Sequence, residues 1–198
     1  MPRPYLLLLL LLPAGPPLHA QTEYYARVGA VGASDLLHDA LIEEVKVRQS
    51  IAPMVAIGGS LPIGPGYRAG LEATFASGGF KVEERGSKDD LGTLRTGSLM
   101  ASLEGPIARG VRWRAGLGGL LYWPSEDTGI FQQGGTTRLL AGAGADYRRP
   151  VLPAWDLMAS LRYDFHRFST TELEARGFSN AQGVSRISLS VGLSRSSR

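Results

Sequence analysis

The sequence alternates between apolar and polar residues along eight separate segments. In Val111–Trp123 every odd position is apolar or glycine, while the even positions begin with Arg112 and Arg114. A period of two places the two sets of side chains on opposite faces of an extended strand. The pattern therefore predicts an all-β chain whose strands have one apolar and one polar face. The segments are 24–32, 51–61, 67–75, 99–103, 111–123, 139–147, 155–165 and 187–193.

Short and long connections alternate between these segments. Prolines and glycines mark three short turns, at 62–66, 105–110 and 149–154. Four longer polar connections lie at about 35–48, 78–93, 124–136 and 169–184. This order predicts an eight-stranded antiparallel up-and-down transmembrane β-barrel with all four long loops on one rim.

The first twenty residues have the three regions of a secretory signal peptide. Arg3 gives a basic start, Tyr5–Leu12 is an apolar run, and Leu18–Ala20 resembles a cleavage site. The run is shorter than the roughly 20 apolar residues that a membrane-spanning helix needs. We therefore expect a signal peptide over residues 1–20 and a barrel domain over residues 21–198.

Composition excludes several classes of function. The chain has no cysteine, which excludes a disulfide scaffold, a zinc ribbon and a thiol nucleophile. A net charge of +3 is too small to argue for a nucleic-acid partner. No metal site is expected, because His38-Asp39 and Asp89-Asp90 are interpreted as exposed loop charges. No cofactor is expected either, since no helix is predicted after Gly58-Gly59 or Gly134-Gly135.

Aromatic residues on the apolar face indicate that this face contacts lipid. Tyr67 and Phe75 flank one strand, and Trp113 and Trp123 flank another. Separations of eight and ten residues correspond to roughly 26 to 33 Å along a strand. For tilted strands, that length matches the apolar band of about 25 Å between the two aromatic girdles of membrane barrels.

The polar face is expected to fill the lumen with paired charges. Of the 21 cations only Lys46, Lys81 and Lys88 are lysines, and all three fall in predicted loops. Arginine is the cation suited to packed, paired charge. The predicted network joins Arg68, Arg112, Arg114, Arg138, Arg162 and Arg186 to Glu72, Glu104, Asp146, Asp156 and Asp164, with room made by Gly70, Gly116, Gly118, Gly142 and Gly144.

A lumen of eight strands is just wide enough for side chains to fill, so no permanent water pore is expected. A gated path and a buried site for a small ligand remain as alternatives. A soluble, lipocalin-like ligand-binding barrel is a further alternative, with the apolar face turned inward. It would need large apolar residues in its core, whereas the middle of the apolar face is often alanine.

From Tyr24 to Leu193 the strand pattern and loop order resemble the OmpA-like and OmpX-like eight-stranded outer-membrane barrels. The resemblance implies the outer membrane of a Gram-negative-type bacterium, with periplasmic termini and external long loops. It also implies insertion by the barrel-assembly machinery and contact with outer-membrane lipid and lipopolysaccharide. One departure concerns the end of the chain, since many such barrels end in an aromatic residue. Here Leu193 is followed by five residues that either overhang the assembly signal or indicate a relaxed one.

His166 suggests an enzymatic alternative. It shares the parity of Arg162 and Asp164, so we expect it to face the lumen or its rim, near Ser169 in sequence. Outer-membrane lipid A deacylases, which are also eight-stranded, use a His–Ser pair supported by a carboxylate. That family places His and Ser two residues apart with Asn directly after Ser, whereas here Ser169 is three residues from His166 and precedes Thr170.

The function expected from the sequence is therefore a non-enzymatic outer-membrane protein with a structural, surface-interaction or barrier role. We predict no catalytic, cofactor-binding or metal-binding residue. A monomer is expected, with the long loops available to an extracellular ligand. A lipid-modifying hydrolase built on His166 and a soluble ligand-binding barrel are the competing hypotheses.

Overall fold

The structure is a computed structural model of the 198-residue chain. It describes residues 22–39, 45–84, 87–126, 131, 135–170 and 181–196. The expected signal peptide and Gly134 lie outside these ranges. The side chains of Leu37, His38, Asp39, Val45, Glu84 and Lys88 also lie outside the description.

Eight long strands form a closed antiparallel ring, as the alternation predicts. Each strand pairs with its neighbour along the chain, and the last pairs with the first through Glu23 opposite Ser196. Two short strands, β2 and β3, lie outside the ring. The strands are β1 (Glu23–Ala33), β2 (Leu37–Asp39), β3 (Val45–Gln49), β4 (Ala52–Gly64), β5 (Tyr67–Glu84), β6 (Ser87–Ala108), β7 (Val111–Pro124), β8 (Thr136–Leu152), β9 (Trp155–Phe168) and β10 (Gln182–Ser196).

The three predicted short turns lie at one rim, which we call the turn end. They reduce to residues 65–66, 109–110 and 153–154. Gly66 and Gly110 adopt φ values of 78° and 75°, a region that glycine enters without steric cost. Since strands run antiparallel, the opposite rim, which we call the loop end, receives the longer connections.

Most of the predicted loop 78–93, and most of the described part of the predicted loop 35–48, is strand, which corrects the sequence interpretation. β5 and β6 stay paired as far as Glu84 opposite Ser87, across most of the predicted loop 78–93. In the predicted loop 35–48, β3 pairs with β5 and β2 pairs with β3. In these segments one face contributes Val47 and Phe80 to the buried interior, while polar residues such as Lys81 and Asp89 are exposed. We call β2, β3, residues 79–84 of β5 and residues 87–94 of β6 the outer sheet.

Apolar side chains cover the outside of the ring. Leu71, Leu99 and Leu117 are 59%, 59% and 70% exposed, whereas Glu72 and Arg114, on the opposite face, are buried. The predicted parity is confirmed in all eight strands. Among the described residues, no helix is both long and apolar enough to cross a membrane.

The aromatic residues on this outer surface form two bands. The band nearer the turn end holds Tyr24, Tyr67, Trp113, Tyr147 and Trp155, and the band nearer the loop end includes Phe75, Trp123 and Phe165. Tyr67 and Trp113 pack edge to face, with ring centroids 6.4 Å apart. Between the bands the surface is aliphatic or alanine, which is the pattern of a lipid-facing wall.

The residues after Leu193 continue the last strand. Ser194–Ser196 pair with β1, and the Arg195 guanidinium lies 5.6 Å from the centre of the Trp155 ring. At least these three residues therefore belong to the barrel wall and do not overhang it.

An arginine placed midway between the two aromatic bands tests the lipid-facing assignment. Leu117→Arg is expected to destabilise the barrel in lipid vesicles by about 2–4 kcal/mol, because the charge enters hydrocarbon. Leu152→Arg, at a similarly exposed leucine beside the β8–β9 turn, should cost about 0–1 kcal/mol. Equilibrium unfolding in urea measures both values, and equal losses would contradict the assignment.

Candidate functional site

The part of the lumen near the turn end is held together by Glu72. Arg162 donates to its Oε1, while Arg27 and Arg114 both donate to Oε2. The Tyr25 hydroxyl donates to the same Oε2 at 2.9 Å. These side chains come from β1, β5, β7 and β9, so a single carboxylate links walls on all sides of the ring. Three cations around one buried anion compensate the cost of removing it from water.

Arg114 extends this cluster to two further carboxylates. Its Nη2 lies 2.9 Å from Glu104 Oε1 and 2.8 Å from Asp146 Oδ2, and its Nη1 lies 2.6 Å from Glu72 Oε2. Its guanidinium also lies 4.9 Å from the centre of the Tyr25 ring. The planar guanidinium group of arginine can donate hydrogen bonds to several acceptors at once. The ammonium group of lysine, which is a single point charge, does this less well.

A second group of charges closes the mouth at the turn end. Arg148 donates to Glu104 Oε2 at 2.9 Å and also binds Glu23. Arg68 lies 3.6 Å from Glu23, and Arg112 lies 3.7 Å from Glu104. We call all these side chains, with Asp164 paired to Arg162 at 2.8 Å, the charged layer.

Of the five glycines predicted to make room for the charged layer, Gly142 does so, whereas the other four lie closest to backbone oxygens of neighbouring strands: Gly70, Gly116, Gly118 and Gly144. A Cβ at Gly142 would collide with Asp164 Oδ1, and a Cβ at Gly116 would lie 2.9 Å from the Met100 side chain.

Toward the loop end the lumen is apolar and aromatic, which the sequence interpretation did not anticipate. Tyr122 packs edge to face on Phe168 with centroids 5.3 Å apart, and Phe131 packs against Phe80 at 5.6 Å. Phe131 comes from the third long connection and is 1% exposed. We call this cluster the aromatic layer. It contains Leu36, Val47, Phe80, Leu94, Met100, Leu120, Tyr122, Phe131, Leu140, Phe168 and Val184.

His166 lies between the two layers and faces the lumen, as its parity predicts. It is 2% exposed, and its Nε2 shares a hydrogen bond of 2.7 Å with the Tyr122 hydroxyl. Asp164 pairs with Arg162, so it does not orient the imidazole. The geometry thus gives His166 a tyrosine partner in place of the serine that a deacylase-like mechanism would need.

Three members of the predicted charge network are placed differently. Arg186 is buried but donates to the Thr96 hydroxyl at 3.1 Å. Arg138 is half-buried and donates to the backbone oxygen of Thr137. Asp156 is half-buried at the start of β9. Within the described part of the chain, none of the three forms an ion pair at 4.0 Å or less.

Sequence reasoning missed four members of the charged layer, which are Glu23, Tyr25, Arg27 and Arg148. The first three share the odd parity of β1, so aligning that strand's polar face with its neighbours would have found them. Arg148 lies one residue beyond the predicted end of its strand. The aromatic layer also had a signal, because Phe80, Tyr122 and Phe168 occupy lumen-facing positions of their strands.

No group of three or more His, Asp or Glu side chains in the described ranges is arranged to hold a metal ion. The site is therefore a packed lumen of two layers, one charged and one aromatic, with His166 and Tyr122 at their boundary.

Comparison with known proteins identifies the fold. No protein-family model matches the chain, and no curated protein matches it in sequence. Solved structures do match. Neisserial surface protein A is 18% identical, with 88% of this chain and 96% of that chain covered and a TM-score of 0.52. The outer membrane protein OprG from Pseudomonas aeruginosa is 12% identical, with coverages of 90% and 96% and a TM-score of 0.53.

The outer membrane protein AlkL, solved in lipid bilayers, is 13% identical, with coverages of 100% and 97% and a TM-score of 0.50. At these identities the likeness concerns the fold alone. The chain has the fold of small outer-membrane β-barrels, and the predicted fold class is confirmed.

Removing Glu72 tests whether the charged layer depends on it. Glu72→Ala leaves three buried arginines without their shared carboxylate, so we expect a loss of about 3–5 kcal/mol in unfolding free energy. Glu83→Ala removes the partner of Arg48 in an ion pair at the protein surface and should cost about 0–1 kcal/mol. Guanidinium unfolding of lipid-embedded protein compares the two, and a similar loss in both variants would contradict the role of Glu72.

Proposed function

We propose that this eight-stranded outer-membrane β-barrel is a non-enzymatic surface protein that acts through its outer sheet. The carrying observation is the length of β5 and β6. From Phe75, in the aromatic band at the loop end, β5 continues nine residues to Glu84, which is about 30 Å along the strand. A paired sheet of this length projects well beyond the lipid-facing wall and offers a rigid surface to the exterior.

The filled lumen supports this proposal. The charged layer and the aromatic layer occupy successive levels of the same narrow interior. Open passage of a solute would have to displace both paired charges and packed rings. The parts of the molecule left for interaction are therefore its ends and its outer wall.

The outer sheet carries charges of both signs on solvated faces. Arg48 donates to Glu83 at 3.1 Å, while Lys81, Asp89 and Asp90 are exposed. Mixed charges at the cell surface suit contacts with the sugars and phosphates of lipopolysaccharide or with an extracellular ligand. Neither sign dominates, so a nucleic-acid partner is not proposed.

The proposal also covers the signal peptide, the position of the chain ends, the route of insertion and the oligomeric state. We propose that residues 1–20 are removed on export and that residues 21–198 form the barrel. Both ends of the ring, at Glu23 and Ser196, lie at the turn end and would face the periplasm. The barrel-assembly machinery would insert the chain from the periplasmic side. The barrel would be a monomer, because lipid can cover its whole apolar wall.

Surface labelling of lysines tests which end faces outward. All three lysines, Lys46, Lys81 and Lys88, lie in the outer sheet. A membrane-impermeant amine reagent applied to intact cells is therefore expected to label the protein. The readout is the labelled fraction by mass spectrometry, before and after permeabilisation of the cells.

The matched control is the triple variant Lys46→Arg, Lys81→Arg and Lys88→Arg, which keeps every charge. It should insert normally, as judged by its mobility shift on unboiled SDS gels, and lose labelling on intact cells. Labelling of the natural chain only after permeabilisation would place the outer sheet inside and overturn the proposal.

The hydrolase alternative is tested at His166. Because its Nε2 is engaged by Tyr122 inside the lumen, we expect no change in the lipid A mass profile of cells that express the barrel. Natural chain, His166→Ala and Ser169→Ala should give identical profiles. Phe168→Ala, at a neighbouring buried residue, controls for disturbed packing. Loss of an acyl chain that requires both His166 and Ser169 would establish the enzyme instead.

A further inference from the structure

A small polar cavity lies inside the lumen, lined by residues of β1, β4, β5, β9 and β10. Its volume is about 10 Å³, which is room for about one water-sized sphere. The lining residues occupy lumen-facing positions of their strands, so the barrel wall separates the cavity from lipid. Its polar lining consists of Thr74, Arg162, Asp164, Arg186 and Ser188.

Arg186 brings a buried cation to this cavity and leaves most of its donors unused. The residue is 5% exposed. In the described ranges its guanidinium donates one hydrogen bond, to the Thr96 hydroxyl at 3.1 Å, and no carboxylate lies within 4.0 Å of it. A guanidinium group has five N–H donors. Because a buried donor without an acceptor costs free energy, the other donors of Arg186 need a partner inside the lumen.

Ser188 adds a second donor of the same kind. It is buried two residues beyond Arg186 on the same face of β10, and no described residue forms a hydrogen bond with its hydroxyl. The Asp164 carboxylate also lines the cavity, but Arg162 engages it. Arg162 donates to Asp164 Oδ2 from Nε at 3.0 Å and from Nη2 at 2.9 Å, and its Nε lies 2.8 Å from Oδ1. The cavity therefore presents a guanidinium and a hydroxyl that both lack an acceptor.

The lumen of the described ring also carries surplus positive charge. Glu72 is already shared by three arginines, so the charged layer has no carboxylate left over for Arg186. An uncompensated buried charge is strongly destabilising. Outside the outer sheet, eight arginines of the ring strands face the lumen but six carboxylates do: Arg27, Arg68, Arg112, Arg114, Arg138, Arg148, Arg162 and Arg186 against Glu23, Glu72, Glu104, Asp146, Asp156 and Asp164.

We infer that the cavity binds one small monovalent anion of the size of chloride, held by the Arg186 guanidinium and the Ser188 hydroxyl. Such an ion accepts hydrogen bonds from both groups and neutralises the buried cation. A water molecule would satisfy the donors but would leave the surplus charge. Phosphate is too large for a space of about one water-sized sphere. The site goes beyond the proposed function, and it does not depend on which end of the barrel faces outward.

Chloride-dependent unfolding of the full chain in detergent micelles tests the site. Sodium chloride is exchanged for sodium gluconate at constant ionic strength, because gluconate is far too large for the cavity. An anion that binds only the folded barrel stabilises it. Above the dissociation constant, the folding equilibrium constant should therefore rise about tenfold for each tenfold increase in chloride. Urea unfolding measures this constant, and Arg186→Gln should abolish its dependence on chloride.

The matched control is Arg149→Gln, which removes the same charge from an exposed position at the turn end and should keep the full chloride dependence. Ser188→Ala removes one neutral donor and keeps the test valid if Arg186→Gln fails to fold. It should raise the chloride concentration needed for half of the effect by about tenfold.

Crystals of the natural chain grown in sodium bromide provide a direct measurement. Bromide should replace the bound anion and give an anomalous scattering peak in contact with Arg186 and Ser188. A water molecule at that position in place of bromide would overturn the inference. Unfolding that does not respond to chloride, or an equal response in Arg186→Gln and the natural chain, would overturn it as well.

Discussion

In hydrocarbon there is no water to satisfy a backbone amide or carbonyl group, and each unpaired group costs several kcal/mol. The structure meets this constraint by closing the ring between β1 and β10, so that the lipid-embedded ladder has no open edge. Closure of the ring also fixes what each face of a strand must contact. Once the wall is a ring, one face of every strand must meet lipid and the other must fill a narrow interior.

The interior is filled in two ways. Near the turn end, Glu72, Arg114 and their partners replace an apolar core with a network of ion pairs. Such a network is stable only when nearly every charge has a partner, because an unpaired buried charge costs far more than a cavity. Near the loop end, rings such as Tyr122 and Phe168 pack as in a soluble protein. Near the turn end the barrel interior is charged, the reverse of a soluble protein, whereas near the loop end it is apolar, as in a soluble protein.

Because the lumen is filled, we place the proposed function at the ends and the outer wall of the barrel. An outer sheet that extends the strands beyond the lipid needs a rigid base, and the packed aromatic layer directly beneath it supplies one. Val47 and Phe80 belong to both, since they lie in outer-sheet strands and are buried in the aromatic layer.

The sequence by itself determined the strands, their parity and the ring, because a period of two and alternating connection lengths are local properties that each segment displays alone. It also determined that arginines such as Arg114 and Arg162 face inward, although Arg27 and Arg148 were missed. The tertiary structure decided which acceptor each arginine contacts. Arg27 and Arg162 lie far apart in sequence and meet only at Glu72, while Arg186, on an equally polar face, finds Thr96. It also decided that most of the predicted loop 78–93 and the described ends of the predicted loop 35–48 form sheet, since β3 pairs where β5 extends past the rim. Parity states which face a side chain occupies, but its height and its partner across the lumen depend on strand register, tilt and closure, which act over the whole ring.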